Sequence, residues 1–180
     1  MLLRKEEEYR FELHHTFKGE FLSPIIMNLN DKFVNHYDDY DEVYHCNQKI
    51  HQIMTLPNVT LDFHVLYKNN QCIGIALITH GQVNSEKLLD QKNLIESPQE
   101  SIILNYYHIY EKGHGLGTRW LKEIIFPYYK SFGKHAMYLK SSHAKAFPFY
   151  LRMGQKIGTY KTKSDNGLFI REGQLFKISF

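Results

Sequence analysis

The stretch Tyr110–Trp120 reads YEKGHGLGTRW and places three glycines at alternating positions. It follows SIILNYYHIY (101–110), which is typical of a strand, and precedes a segment with apolar residues at helical spacing. That apolar face consists of Leu116, Trp120, Leu121, Ile124, Ile125 and Tyr128. The first N–H groups of a helix have no partner within it, and the helix dipole adds partial positive charge there. The pattern indicates a site for an anion such as a phosphate, although a tight turn without a ligand has the same composition.

Two familiar phosphate loops do not fit this stretch. A Walker loop requires Gly-Lys followed by Ser or Thr, and the dinucleotide fingerprint requires GxGxxG, whereas the spacing here is GxGxG. KGHGLG (112–117) instead resembles the coenzyme A pyrophosphate motif of the GNAT superfamily of acyl-CoA-dependent N-acyltransferases. In that resemblance Lys112 stands where Gln or Arg is usual.

Two further segments carry the same resemblance. SHAKAFPFYLRMGQ (142–155) is similar to the family's second signature, with His143 in place of Asn and Gln155 in place of Phe. VLYKNNQCIGIALI (65–78) is similar to the family's glycine-containing hairpin. The resemblance therefore extends over residues 59–155, with the segments in the family's order.

The fold class that follows is α+β, which the order of the elements also favours. The resemblance implies three layers: helices on both faces of a mixed, mostly antiparallel sheet, with a V-shaped splay between two parallel strands. Those strands are SIILNYYHIY (101–110) and AMYLKSS (136–142). We expect a single domain over residues 1–180, with the N-terminal strand and substrate-side helices in 1–58, the acetyl-CoA core in 59–155 and C-terminal strands in 156–180.

The resemblance also implies acetyl-CoA as cosubstrate. The backbone near Tyr107 and Ile109 would pair with the pantetheine arm, and a backbone N–H there would stabilise the oxyanion. Tyr150 would protonate the departing thiolate as general acid, the alternative being one more core tyrosine. The residues expected at the coenzyme are Tyr107, Ile109, Lys112, Gly113, His114, Gly115, Leu116, Gly117, Thr118, His143, Ala146 and Phe149.

The general base and the acceptor are not identified by the resemblance. Glu100, His108 and a water chain are the candidates for the base, and each side chain has an alternative as an ordinary polar residue on a wet face. An acidic and aromatic group near the predicted second helix suits a cationic amine, although acidic residues also favour a helix's first turn. This group consists of Tyr37, Asp38, Asp39, Tyr40, Asp41, Glu42 and Tyr44.

We therefore expect transfer of an acetyl group to a primary amine of a small molecule or peptide by direct attack. The alternatives are a protein N-terminal or lysine acetyltransferase, and a catalytically idle acyl-CoA-binding sensor. Direct attack requires no cysteine nucleophile, and Cys46 and Cys72 have neither CxxC nor disulfide spacing.

Composition sets limits on partners and location. The net charge is +3 with scattered basic residues, so no nucleic-acid partner is expected. The 11 histidines show no recognised metal-ligand spacing, so we expect no metal. The N-terminus lacks the apolar stretch of a signal peptide, and no apolar run reaches membrane-spanning length, which predicts a cytoplasmic protein. Exposed tail strands and abundant aromatic residues make a homodimer an open possibility.

Periodicity predicts the remaining elements. Residues 59–67 should form a strand with one wet face carrying Thr60, Asp62 and His64, joined to a second strand by a turn at 68–71. Residues 81–98 have no convincing period. The other predictions are a strand at 7–14, a helix opening at Ser23-Pro24, a helix within 36–54, a helix within 143–154 and tail strands around 164–167.

Overall fold

A mixed β-sheet forms the centre of the computed structural model, which describes residues 1–34, 41–113, 115–163, 167 and 170–180. In these ranges the strands are β1 Leu2–Glu6, β2 Tyr9–His14, β3 Val59–Lys68, β4 Gln71–Gly81, β5 Ser101–Ile109, β6 Ala136–Ser141, β7 Gln155–Lys163 and β8 Ile170–Ser179. The helices are α1 Ser23–Val34, α2 Glu42–Met54, α3 Ser85–Leu89, α4 Leu116–Arg119, α5 Phe126–Lys130 and α6 Phe147–Met153. The strand order is β1-β2-β3-β4-β5-β6-β8-β7, and the β5–β6 pair is parallel while the other pairs are antiparallel.

The hairpin of β3 and β4 forms as the sequence predicts. Its two connecting residues, Asn69 and Asn70, have φ angles of 48° and 68°. Asparagine tolerates this left-handed region better than most residues, and a two-residue turn of that kind matches the twist of paired strands. Tyr9 to His14 of β2 then pairs with β3, which extends the antiparallel half of the sheet.

The sheet has a separate apolar core on each face. Phe21, Ile50 and Leu88 belong to the core that α1, α2 and α3 form against one face, which we call the α1–α3 face. Trp120 and Tyr150 belong to the core on the opposite α4–α6 face. The predicted three-layer α+β fold is therefore confirmed. In the described ranges, no helix combines the length and apolar character needed to span a membrane.

The helix after the glycines changes its hydrogen-bonding pattern midway. Between α4 and α5 the segment Trp120–Ile125 is π-helical, and the Phe126 N–H donates to Leu121 O, five residues back. Pro127 follows directly and has no N–H to donate. The chain nevertheless stays helical to Lys130. Pro127 therefore follows the π-helical segment and does not end the helix.

Three local predictions were wrong or incomplete. The predicted wet face of β3 is covered at two of its three residues, because Asp62 and His64 are both 0% exposed beneath α5, whereas Thr60 is exposed. Tyr129 of α5 supplies the missing partners: its hydroxyl donates to Asp62 Oδ2 at 2.7 Å and lies 2.9 Å from His64 Nε2. Strand β1 and the short helix α3 were not predicted, since neither has enough apolar residues to show a clear period.

Candidate active site at the splay between the parallel strands

Strands β5 and β6 pair over only part of their length. Their register runs from Ser101 opposite Ala136 to Leu104 opposite Leu139 and ends there. Beyond this point β5 continues beside β4, and β6 continues beside β8. The β4–β5 register also shifts at Asn105, which makes a bulge that bends β5 away. The predicted V-shaped splay is confirmed.

A cavity of about 1080 Å³ occupies the splay and is lined from both faces of the sheet. Successive side chains of a strand point to opposite faces, so each strand contributes to both sides of the cavity. Tyr107 packs with the α4–α6 core, whereas Tyr106 packs with the α1–α3 core and stacks on His108. On β6, Tyr138 belongs to the α1–α3 core, which places Lys140, two residues on, on that side.

The glycine stretch forms a turn beside the α4–α6 side of the cavity. Gly113 and Gly115 have φ angles of 93° and 67°, which favour glycine, and Gly115 caps the helix that begins at Leu116. A Cβ atom built on Gly113 or Gly115 would have no atom within 4 Å, so the space outside the turn is open to a ligand. Lys112 lines the cavity, and its Nζ lies 3.1 Å from Asp31 Oδ2. Predicted residue His114 lies outside the described residues.

Backbone N–H groups of β5 point into the splay, beyond the end of the β5–β6 pairing. The Tyr110 N–H donates to Ile73 O of β4 at 2.8 Å. Because N–H groups alternate in direction along a strand, those of Ile109 and Tyr107 point away from β4, towards the gap. The position predicted for the pantetheine arm is thus an open strand edge.

The side chain of Tyr107 supports the glycine turn rather than the cavity centre. Its hydroxyl donates to Gly117 O at 2.7 Å, and its ring stacks on Phe149 with centroids 6.0 Å apart. A Cβ atom on Gly117 would lie 3.3 Å from that hydroxyl, so the third glycine permits a close approach. Leu116 is buried in the core, which leaves only its backbone for a ligand.

Tyr150 lines the cavity from α6 on the α4–α6 side. It is 8% exposed and packs against the rings of Phe149 and Phe176. Burial raises the pKa of its hydroxyl well above the usual value, because the phenolate would be poorly solvated. The hydroxyl therefore carries its proton at neutral pH and is a hydrogen donor.

Of the two side chains considered as general base, only His108 lines the cavity. Its Nε2 lies 2.9 Å from Glu42 Oε1, while the other oxygen of that carboxylate is ion-paired with Lys32. Glu100 is exposed in the turn before β5 and is not among the residues lining the cavity. The site thus presents an imidazole–carboxylate pair on the α1–α3 side.

The acidic group expected to bind a cationic amine does not form an open negative surface. Glu42 is its cavity-lining member, and its charge is already paired with Lys32 and close to His108. Asp41 and Tyr44 are exposed at the start of α2, where an acidic residue favours the helix dipole. The remaining members, Tyr37, Asp38, Asp39 and Tyr40, lie outside the described residues.

The predicted coenzyme residues divide into two sets. Those that line the cavity are Tyr107, Ile109, Lys112, His143 and Ala146, and the predicted general acid Tyr150 lines it as well. Those that lie in the adjoining turn and helices are Gly113, Gly115, Leu116, Gly117, Thr118 and Phe149. Both cysteines are buried, which raises each thiol pKa to about 12 and disfavours the nucleophilic thiolate. Among the residues the structure describes, no group of three His, Cys, Asp or Glu side chains is placed to hold a metal.

Sequence reasoning missed several polar residues of the cavity. Asn105 donates from Nδ2 to Thr79 Oγ1 at 2.6 Å, and its buried Oδ1 has no partner in the described part of the chain. A polar residue interrupting the apolar run SIIL was the available signal for Asn105. Lys49 and Lys140 carried no such signal, because α2 and β6 come together only in the fold.

Comparison with known proteins identifies solved structures with a similar fold. No family model matches the chain, and no curated protein does. Among solved structures, an acetyltransferase from Salmonella typhimurium that modifies the N-terminal serine of a 50S ribosomal subunit protein is 13% identical, with a TM-score of 0.59 over 100% of this chain and 99% of that one.

Two other structures are similar over almost the whole chain. An N-acetyltransferase from Staphylococcus aureus is 15% identical, with a TM-score of 0.54 over 94% of this chain and 98% of that one. A GNAT family acetyltransferase from Elizabethkingia anophelis with acetyl-CoA bound is 12% identical, with a TM-score of 0.55 over 97% and 100%. The chain has the fold of the GNAT acetyltransferases.

Proposed function

We propose that this chain transfers an acetyl group from acetyl-CoA to a primary amine by direct attack. One observation carries the proposal: a single cavity receives the glycine turn and Tyr150 from one face of the sheet and the His108–Glu42 pair from the other. A coenzyme on the first side and an amine on the second would meet in the splay.

The coenzyme side suits an acyl-CoA thioester. The open turn from Gly113 to Gly117 offers backbone N–H groups at a helix start, which favours a pyrophosphate. The N–H groups of Tyr107 and Ile109 suit a pantetheine arm lying beside β5 as an added strand. A donor at the thioester carbonyl would stabilise the oxyanion formed on attack. The similar fold of a protein with acetyl-CoA bound supports this assignment.

The two sides of the cavity suit the two proton transfers. The Glu42 carboxylate, whose Oε1 lies 2.9 Å from His108 Nε2, would stabilise the imidazolium formed when His108 takes a proton from the attacking ammonium. Tyr150, protonated at neutral pH, suits delivery of a proton to the leaving thiolate. The acceptor is a small molecule in this proposal. A protein N-terminus is the second candidate, because the similar Salmonella protein modifies such an amine.

The test measures CoA release from acetyl-CoA with a panel of amines that includes a peptide with an N-terminal serine. Tyr150→Phe should lower kcat by about 10²-fold or more with little change in acetyl-CoA binding, because a general acid contributes about 10²–10⁴-fold. His108→Asn should lower the rate for every amine that reacts. The matched control is Tyr110→Phe, since Tyr110 is 40% exposed and outside the cavity lining. Unchanged turnover in Tyr150→Phe would reject its role, and acetyl-CoA binding without any transfer would favour the idle sensor.

A further inference from the structure

The cavity carries an unusual excess of positive charge. Its described lining includes six lysines against two carboxylates, a net charge of +4 compared with +3 for the entire chain. Both carboxylates already have partners in the structure: Asp31 pairs with Lys112, and Glu42 pairs with Lys32. The lysines are Lys32, Lys49, Lys112, Lys140, Lys145 and Lys163.

Among the lysines of this set that are not exposed, Lys49 lacks a counterion in the described part of the chain. It projects from α2, is half-buried, and makes no hydrogen bond or ion pair with any residue the structure describes. Burial lowers its pKa, the nearby Lys140 lowers it further, and Asp90 opposes the change. Lys140 is itself ion-paired with Asp90, whose side chain is 70% exposed. Half-buried ammonium groups of like charge are stabilised when an anion joins them.

These two lysines lie on the side of the cavity away from the proposed coenzyme site. Lys49 belongs to α2, and Lys140 shares the α1–α3 face with Tyr138. The glycine turn that suits the coenzyme phosphates lies on the α4–α6 side. The Lys140 Nζ lies 5.6 Å from the centroid of the Tyr160 ring, and Tyr160 and Ser142 both line the cavity on this side.

We propose that the acceptor is a small amine that also carries a carboxylate, such as a free amino acid, and that Lys49 and Lys140 bind this carboxylate. The inference rests on the proposed acetyl transfer and names its substrate class. It replaces the expectation of a cationic acceptor held by acidic residues. A cavity of about 1080 Å³ that also admits the pantetheine arm is suited to an acceptor of this size.

The lysines would assist the chemistry as well as the binding. Nearby positive charges disfavour an ammonium, so they shift the acceptor towards the free amine that attacks. The ammonium first loses one proton to His108, and the free amine then forms the N–C bond. As the C–S bond breaks, the Tyr150 proton passes to the thiolate, and the second proton that leaves the nitrogen restores the Tyr150 hydroxyl. The carboxylate is unchanged and serves only to orient the amine.

The test measures calorimetric binding of free L-amino acids and of their carboxamides, which keep the amine and lack the carboxylate. Titrations use the full chain with and without saturating CoA. We expect at least one amino acid to bind about tenfold or more tightly than its carboxamide, in line with the energy of a charged hydrogen bond. Lys49→Met should abolish this preference and Lys49→Arg should keep it. Lys122→Met, at an exposed lysine on the opposite face, is the control.

The outcomes separate this inference from the proposed function. Equal binding of acid and carboxamide, no binding of any pair at millimolar concentration, or an unaltered preference in Lys49→Met would overturn the carboxylate site. Failure to bind acetyl-CoA or to release CoA would instead overturn the proposed function. The amino-acid titrations require neither step.

Discussion

Replacement of His64 by glutamine should remove a large part of the acid sensitivity of the fold. His64 is 0% exposed in β3, with Nε2 2.9 Å from the Tyr129 hydroxyl. That hydroxyl donates its proton to Asp62, so the imidazole donates Nε2–H, while its buried Nδ1 has no partner in the described ranges. Burial lowers the His64 pKa to about 4, with the Asp62 charge opposing and His15 and His80 reinforcing the shift. Glutamine keeps a donor for Tyr129 and does not titrate.

The magnitude follows from the difference between the folded and unfolded pKa values of His64. The unfolded chain takes up a proton near pH 6.5, and the folded protein takes it up only near pH 4. Between those values the unfolded state binds more protons, so the free energy of unfolding falls as the pH falls. A gap of about 2.5 pH units at about 1.4 kcal/mol per unit gives about 3 kcal/mol. Asp62 titrates outside this window, because its folded pKa is lowered from 3.8: burial, which raises it, is outweighed by hydrogen bonds from His80 and Tyr129.

Urea unfolding between pH 7 and pH 4 measures this effect directly. Trp120 is the one tryptophan of the chain and is 0% exposed, so its fluorescence reports loss of the α4–α6 core. The wild-type protein should lose stability across this range, and His64→Gln should lose about 3 kcal/mol less by pH 4. His135→Gln, at an exposed histidine, is the control and should follow the wild type. Parallel stability curves for wild type and His64→Gln would refute the buried, neutral histidine.

The remaining predictions concern the packing of Gly154 and the hydrogen bond from Tyr107 to the glycine turn. Gly154→Ala places a Cβ 2.3 Å from Lys177 O, so it should destabilise the fold by about 1–3 kcal/mol in thermal unfolding, whereas Gly19→Ala, with no atom within 4 Å, should not. Tyr107→Phe removes the donor to Gly117 O and should cost about 1 kcal/mol. It should also raise the KM for acetyl-CoA more than the KM for the amine; equal changes in both would contradict a role in the glycine turn.

The features that sequence predicted well depend on residues close together in the chain. The glycine turn and the Asn69–Asn70 hairpin are local, since backbone conformation alone selects glycine or asparagine there. The burial of His64 could not be predicted, because the Tyr129 hydroxyl that satisfies it comes from a helix 65 residues further on.

In the candidate site, too, local motifs could be predicted from sequence, whereas contacts between distant residues could not. The sequence motif singled out Tyr150, which lines the cavity. The sequence did not show that Glu42 is ion-paired with Lys32, so the expected negatively charged surface is not formed by Glu42. Whether an acidic residue meets an amine or a lysine depends on the neighbours that the tertiary fold supplies. Lys49 of α2 and Lys140 of β6 likewise reach the same cavity only in the folded chain.

A thermal-shift titration with acetyl-CoA tests the central claim most directly, with ADP as the control that lacks the pantetheine arm. At one hundred times Kd, a ligand specific for the folded state adds about 2.7 kcal/mol, which raises Tm by about 5–10 °C for a chain of this size. We expect such a shift with acetyl-CoA and a smaller one with ADP. No shift at millimolar acetyl-CoA would contradict the assignment of the glycine turn and the splayed strands as a coenzyme site.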